Sequence, residues 1–308
     1  MRLSQRNGFS LVELFISIAI GGIAAALMFS TLARQQRFYS SASAAMSERS
    51  QLQDAAAILS TEIRTAAVEL GVPAMRDTAI EFFTMIGASV VCTVPAAQTF
   101  GLAPLRHAPG TSLTSMLALP EPGDLALIYT LSTPALDSGA WELRDIDSFT
   151  TRSVATACPP ESGFTLTGDV GSGSSAYSVS LISPTDRAVR PGSSVRFVRR
   201  ARYSIYRSSD NKWYLGYRRC SATGPSVCAG IQPVAGPYLP YSDGRPGLSF
   251  RYFDRLGQQL SDGDDGTRLA RVDLVIHKAS KGALLASHQH SLMGDSVVVS
   301  FATRNRFR

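Results

Sequence analysis

Gly8-Phe9-Ser10-Leu11-Val12-Glu13-Leu14-Phe15-Ile16-Ser17-Ile18-Ala19-Ile20 is the stretch on which the reading of this chain turns. Before it stand Met1-Arg2-Leu3-Ser4-Gln5-Arg6-Asn7, polar and basic without an acid. After it, Leu14 to Ala33 carries no charged residue. About 20 such residues cross the hydrocarbon core of a bilayer as a helix. The leading basic residues favour a cytoplasmic N-terminus, an asymmetry that Arg34 and Arg37 reduce. A secretory signal peptide needs a small-residue cleavage site behind the apolar run. Ala24-Ala25-Ala26 or Ser30-Thr31-Leu32-Ala33 is available for that role. A plain signal anchor needs only the run. Neither accounts for Glu13, because a carboxylate within an apolar span is costly unless something pairs with it.

Gly8-Phe9-Ser10-Leu11-Val12-Glu13-Leu14 resembles the cleavage and methylation motif of type IV prepilins and type II secretion pseudopilins. The resemblance implies that a prepilin peptidase cuts after Gly8 and that Phe9 becomes the N-methylated first residue. It also implies that Glu13 pairs with the N-terminal amine of a neighbouring subunit, which supplies the missing partner. The division it suggests is a leader over 1–8, a transmembrane and assembly helix over 9–33, an exported continuation over 34–72 and a β-rich head over 73–308.

The residues beyond the span support a continued helix. No proline occurs between Phe9 and Val72. Leu52, Ala56, Leu59, Ile63, Ala66 and Leu70 follow at steps of four and three, an apolar stripe suited to a neighbouring helix or a sheet. Asp54, Glu62 and Arg64 fall off it, and Gly71 and Pro73 are the expected stop. At 1.5 Å per residue the expected helix is roughly 90 Å long. Two helices joined near Ser40 are the alternative.

From about residue 74 apolar runs shorten and turn residues multiply. Strands are expected over 80–85, 89–94, 125–131, 177–182, 195–206, 212–218, 248–253, 270–277 and 296–301. Several alternate with period two, as in Trp213, Leu215 and Tyr217, which leaves one sheet face buried and one wet. Ser208-Ser209-Asp210-Asn211 predicts a hairpin turn. The expected class is α+β, with a long N-terminal helix packed on an antiparallel head. The runs 203–207, 212–215, 246–257 and 269–276 are similar to the ordered strands of PilW-like minor pilins and of the type II secretion minor pseudopilin J. Ile63-Arg64-Thr65-Ala66 is similar to the helix end in PilW-like proteins, with Ala67 where a Gly is usual. Residues 74 to 190 resemble no named family.

The 308 residues are 44% hydrophobic and 18% charged, which supplies a core and argues against disorder. The formal charge of +6 falls to about +4 without Arg2 and Arg6, no sign of nucleic acid by itself. The 4 cysteines, Cys92, Cys158, Cys220 and Cys228, form no CxxC pair. An even count in an exported segment favours two disulfides, and free buried thiols are the alternative. The short turn-rich loop between Cys220 and Cys228 makes them the local pair and leaves Cys92 with Cys158.

No nucleophile elbow, phosphate loop or cofactor motif is present, so no cofactor is expected and an enzyme is disfavoured. Gly171-Ser172-Gly173-Ser174-Ser175 reads as a loop, and His107, His277, His288 and His290 as ordinary surface residues. Asp262, Asp264 and Asp265 are a candidate calcium loop, but their spacing fails the EF-hand rule and a hairpin turn is the plainer reading. Arg199, Arg200 and Arg202, interleaved with Phe197 and Tyr203, are a candidate nucleic-acid patch. The plainer reading is the wet face of a strand. The expected partners are other minor and major pilins or pseudopilins, the prepilin peptidase, the inner-membrane assembly platform and the lipid bilayer. The expected location is the bacterial inner membrane with a periplasmic head, and the pilus after assembly.

Overall fold

The computed structural model describes residues 11–106, 112–131, 139–171, 174–222, 227–241, 246–277 and 296–303. The chain divides into two compact units. One holds Met1–Leu52 with Ser280–Ser291, and the other Gln53–Ala279 with Leu292–Arg308. Helix α1, Leu11–Arg64, supplies every described residue of the first unit and enters the second at Gln53.

Within the second unit α1 buries Ala55, Leu59 and Ile63, spaced four apart on one face. The helix ends at Arg64, short of the Gly71 and Pro73 stop. A competing partner ends it. Met85 donates its N–H to the Thr65 carbonyl at 3.0 Å, and Ala67 donates to that of Phe83 at 2.7 Å. Ala66 thereby bridges to Thr84 instead of continuing the helix, and Val68–Leu70 form a single 3-10 turn.

The strands follow as β1 (Ala74–Arg76), β2 (Ala79–Ala96), β3 (Thr99–Leu102), β4 (Ser115–Met116), β5 (Leu125–Leu131) and β6 (Gly139–Ser153). After the short helices α2 (Val154–Ala157) and α3 (Thr167–Gly171) come β7 (Ser175–Leu181), β8 (Ser194–Arg207), β9 (Trp213–Cys220) and β10 (Gln232–Tyr238). The last are β11 (Leu248–Phe253), β12 (Gln259–Leu260), β13 (Arg271–His277) and β14 (Ser296–Ala302).

A closed ring of antiparallel pairings organises the larger sheet. β2 pairs with β8 over its first part and with β3 from Val91 onward. β3 pairs with β7, β7 with β6, β6 with β5, and β5 returns to β8. Closure leaves no unpaired edge among these strands. They contribute Ile86, Val91, Phe100, Leu102, Ile128, Ile146, Val179 and Phe197 to one shared core, as inward positions of alternating strands do. Beyond the ring, β8 continues onto β9 and β9 onto β10. A second sheet runs β12-β11-β13-β14.

The two strands expected over 80–85 and 89–94 are one 18-residue strand. Gly87 between them marks a register shift rather than a break. A Cβ there would stand 2.3 Å from the Met116 sulfur, so a larger residue would have to displace the Met116 side chain of β4. The Ser208 turn between β8 and β9 takes its expected place, with Asn211 at φ 63°.

Candidate assembly site

From Leu11 to Ser40 α1 is long and apolar enough to cross a membrane. Its large side chains are exposed all round: Leu11 71%, Phe15 67%, Ile20 63%, Phe29 75%. A helix resting on a core hides one stripe, whereas one apolar on every side needs lipid or other helices around it. The few hydroxyls are satisfied internally. Ser17 donates to the Glu13 carbonyl at 2.8 Å and Thr31 to that of Leu27 at 2.6 Å. Glu13 occupies the first turn, where the helix dipole favours a carboxylate. Gly21 and Gly22 leave open space where a side chain would stand, room for a close neighbour. Gly8 and Phe9 lie outside the described residues.

The end of α1 meets the sheet through a polar seam. Glu62 lies close to Thr84 on β2, Arg199 and Tyr203 of β8 and Tyr217 of β9. The register puts Thr84 opposite Arg199, and Tyr203 opposite Tyr217. Burial pushes the Glu62 carboxyl up, against the opposing pull of Thr84 and Arg199. Burial, then the charge of Glu62, pushes the Tyr203 phenol far above its usual range. Tyr238 on β10 is raised in the same way by burial and then by Asp54 of the helix.

Residues 3–29 match the family described as the prokaryotic N-terminal methylation motif. That motif is typical of type IV pilin-like proteins. This chain carries the type IV pilin-like N-terminus. Its long helix on a multi-stranded antiparallel sheet is a pilin-like α+β fold. No curated protein and no solved structure is a significant match to the chain.

In the pilin-like head the cysteines form two disulfides, Cys92–Cys158 and Cys220–Cys228. The first ties β2 to the end of α2 within a small core of Ala103, Val154, Ala157 and Ala176. Gly101 lies beneath this tie. A Cβ there would fall 1.9 Å from the Ala157 carbonyl oxygen, which accepts from the Thr93 hydroxyl at 2.9 Å.

The three loop aspartates act separately. Asp262 pairs with Arg76 at 2.8 Å, Asp264 accepts the Ser261 N–H at 2.7 Å, and Asp265 caps a 3-10 turn through Thr267. Among the described residues no group of three or more His, Cys, Asp or Glu side chains is placed to hold a metal ion. The expected hairpin between β11 and β13 holds an additional strand, β12. His277 contacts the Pro246 carbonyl through Nδ1 at 2.7 Å, while His107, His288 and His290 lie outside the described residues.

The basic run on β8 is divided between two faces. Arg199, facing α1, pairs with Asp124 at 2.8 Å, and Asp124 is fully buried. Arg200 and Arg202, on the other face, share Glu81. Arg199 therefore does not share a face with Arg200 and Arg202. Glu62, Glu81 and Asp124, which organise this region, were not found from sequence. A lone acid beside a strand carries no pattern of its own. The one signal is Pro122-Gly123-Asp124, with Gly123 at φ 87°, a turn that delivers an acid to the start of β5.

Proposed function

We propose that this chain is a minor type IV pilin, a structural and non-enzymatic subunit that helps initiate pilus assembly at the filament tip. The observation that carries the reading is the fully exposed apolar helix Leu11–Ser40 with Glu13 in its first turn. In this proposal residues 1–8 are a leader removed by the prepilin peptidase, and Phe9 becomes the methylated N-terminus. Glu13 takes the terminal amine of a neighbouring subunit, so that two charges neutralise inside the apolar bundle. The head faces the periplasm. Its size supports a minor role, because a head of two sheets is hard to repeat along a whole filament.

The test is deletion and complementation in the native host. Loss of the gene should remove surface filaments, and the wild-type copy should restore them. Glu13→Val should still enter the membrane and lose its leader, yet fail to co-purify with partner pilins. Wild-type filament numbers in the deletion strain refute the minor-pilin role. The strand similarity in the C-terminal half favours a second reading, minor pseudopilin J of type II secretion. A deletion strain that keeps its filaments but stops secreting selects that reading.

A further inference from the structure

Glu81, Arg202 and Arg218 stand directly opposite one another in one row across β2, β8 and β9. Arg200 lies on the same face in the next row, opposite Cys220. Glu81 is 2% exposed and serves two guanidinium groups, Arg200 through Nε at 2.5 Å and Arg202 through Nη1 at 3.4 Å. Arg218 takes part in no ion pair among the described residues, and its Nε is buried without an acceptor. The Ser221 hydroxyl is also buried without a partner, beside a carbonyl that accepts from Arg200 Nη1 at 3.2 Å.

The charges on this face do not close. Among the described residues three guanidinium groups lie on this face beside one carboxylate, which pairs with two of them, and Arg202 and Arg218 are cross-strand neighbours, an arrangement that destabilises a ladder. The helix-facing side of the same strands is balanced, because Arg199 and Arg219 there meet Asp124 and Glu121. A half-buried excess of positive charge with an unmet donor is the environment of an anion.

We propose that Arg200, Arg202, Arg218 and Ser221 form a binding site for one oxyanion, a carboxylate or phosphate group. Guanidinium forks match both in geometry. Arg200 and Arg202 are only 13% and 31% exposed, which suits a single inserted group rather than a polymer backbone.

The experiment follows thermal unfolding of the full chain in detergent. Inorganic phosphate and sodium acetate are compared with sodium chloride at matched ionic strength, which removes general screening. Phosphate should raise the melting temperature saturably. Arg218→Gln and Arg202→Gln should abolish most of that rise, while Arg207→Gln, exposed and on the opposite face, should keep it. Circular dichroism in chloride confirms that each variant is folded. A matching rise in acetate assigns the site to carboxylates, such as an acidic side chain of another subunit. A rise in phosphate alone assigns it to phosphoryl groups. Equal melting of the wild type in all three salts overturns the proposal, as does a full phosphate response in both Arg218→Gln and Arg202→Gln.

Discussion

Ala66 pairs with Thr84 in an antiparallel bridge two residues after α1 ends. The Thr65 and Thr84 hydroxyls meet beside it at 2.9 Å. The helix whose N-terminal part is long and apolar enough to cross a membrane is thus held at its other end to the longest strand of the head by backbone hydrogen bonds as well as by apolar packing.

That packing sets the first prediction. Leu59 and Ile63 are 0% and 1% exposed, so replacing either by Ala should destabilise the head by about 2–5 kcal/mol. Ile58, one position away and 38% exposed, should tolerate Ala with little loss. Urea unfolding of the three variants checks this, and equal midpoints contradict a helix face seated on the sheet.

Asp124 bonds Arg199 and Arg219 from a fully buried position. Asp124→Ala strands two cations and should cost about 3–5 kcal/mol. Joint replacement of Asp124 by Leu and Arg199 by Met should cost less, because Arg199 goes with its partner and Arg219 keeps Glu121. A double-mutant cycle in denaturant measures the difference.

The seam at Glu62 predicts a pH dependence. Its folded pKa is raised, so the native state binds a proton more tightly than the unfolded state does. Stability should therefore fall as pH rises from the ordinary carboxylate value through the raised one. Glu62→Gln retains a polar group beside Thr84 without the charge. It should unfold at higher temperature than wild type at neutral pH, and the gap should close in acid. A gap that widens in acid contradicts burial as the cause.

The disulfides should differ in worth. Cys92 and Cys158 are 66 residues apart, and Cys220 and Cys228 are 8 apart. Chain-entropy reasoning gives about 4 kcal/mol for the first and about 2.5 kcal/mol for the second. Paired Ser replacements compared in denaturant should show the larger loss at Cys92 and Cys158.

Much of this architecture is readable from residue order, and the gaps have physical causes. β5 and β11 are plain because their apolar residues carry the strand period without interruption. β6 is hidden because the alternation of Trp141-Glu142-Leu143-Arg144 changes phase at Asp145-Ile146. In the fold Glu142 is satisfied by Arg144 at 2.8 Å and by the backbone of Asp186 and Arg187. β10 carries Pro233 and Pro237, which argue against a strand, yet it lies at a sheet edge where proline is tolerated. The early end of α1 is invisible locally, because Thr65-Ala66-Ala67 has no helix breaker and the competing partner, Thr84, lies 18 residues beyond Ala66. The apolar N-terminal helix is legible because a motif and an apolar run coincide. The polar groups of the head are not, because burial pairs each with a residue far away in sequence.

The central claim is that this chain is processed and assembled as a pilin-like subunit. Intact-mass and N-terminal peptide analysis of the protein from its native host tests it most directly. The account predicts a mature chain that begins at N-methylated Phe9. A chain that retains Met1, or begins after Ala26 or Ala33, contradicts it.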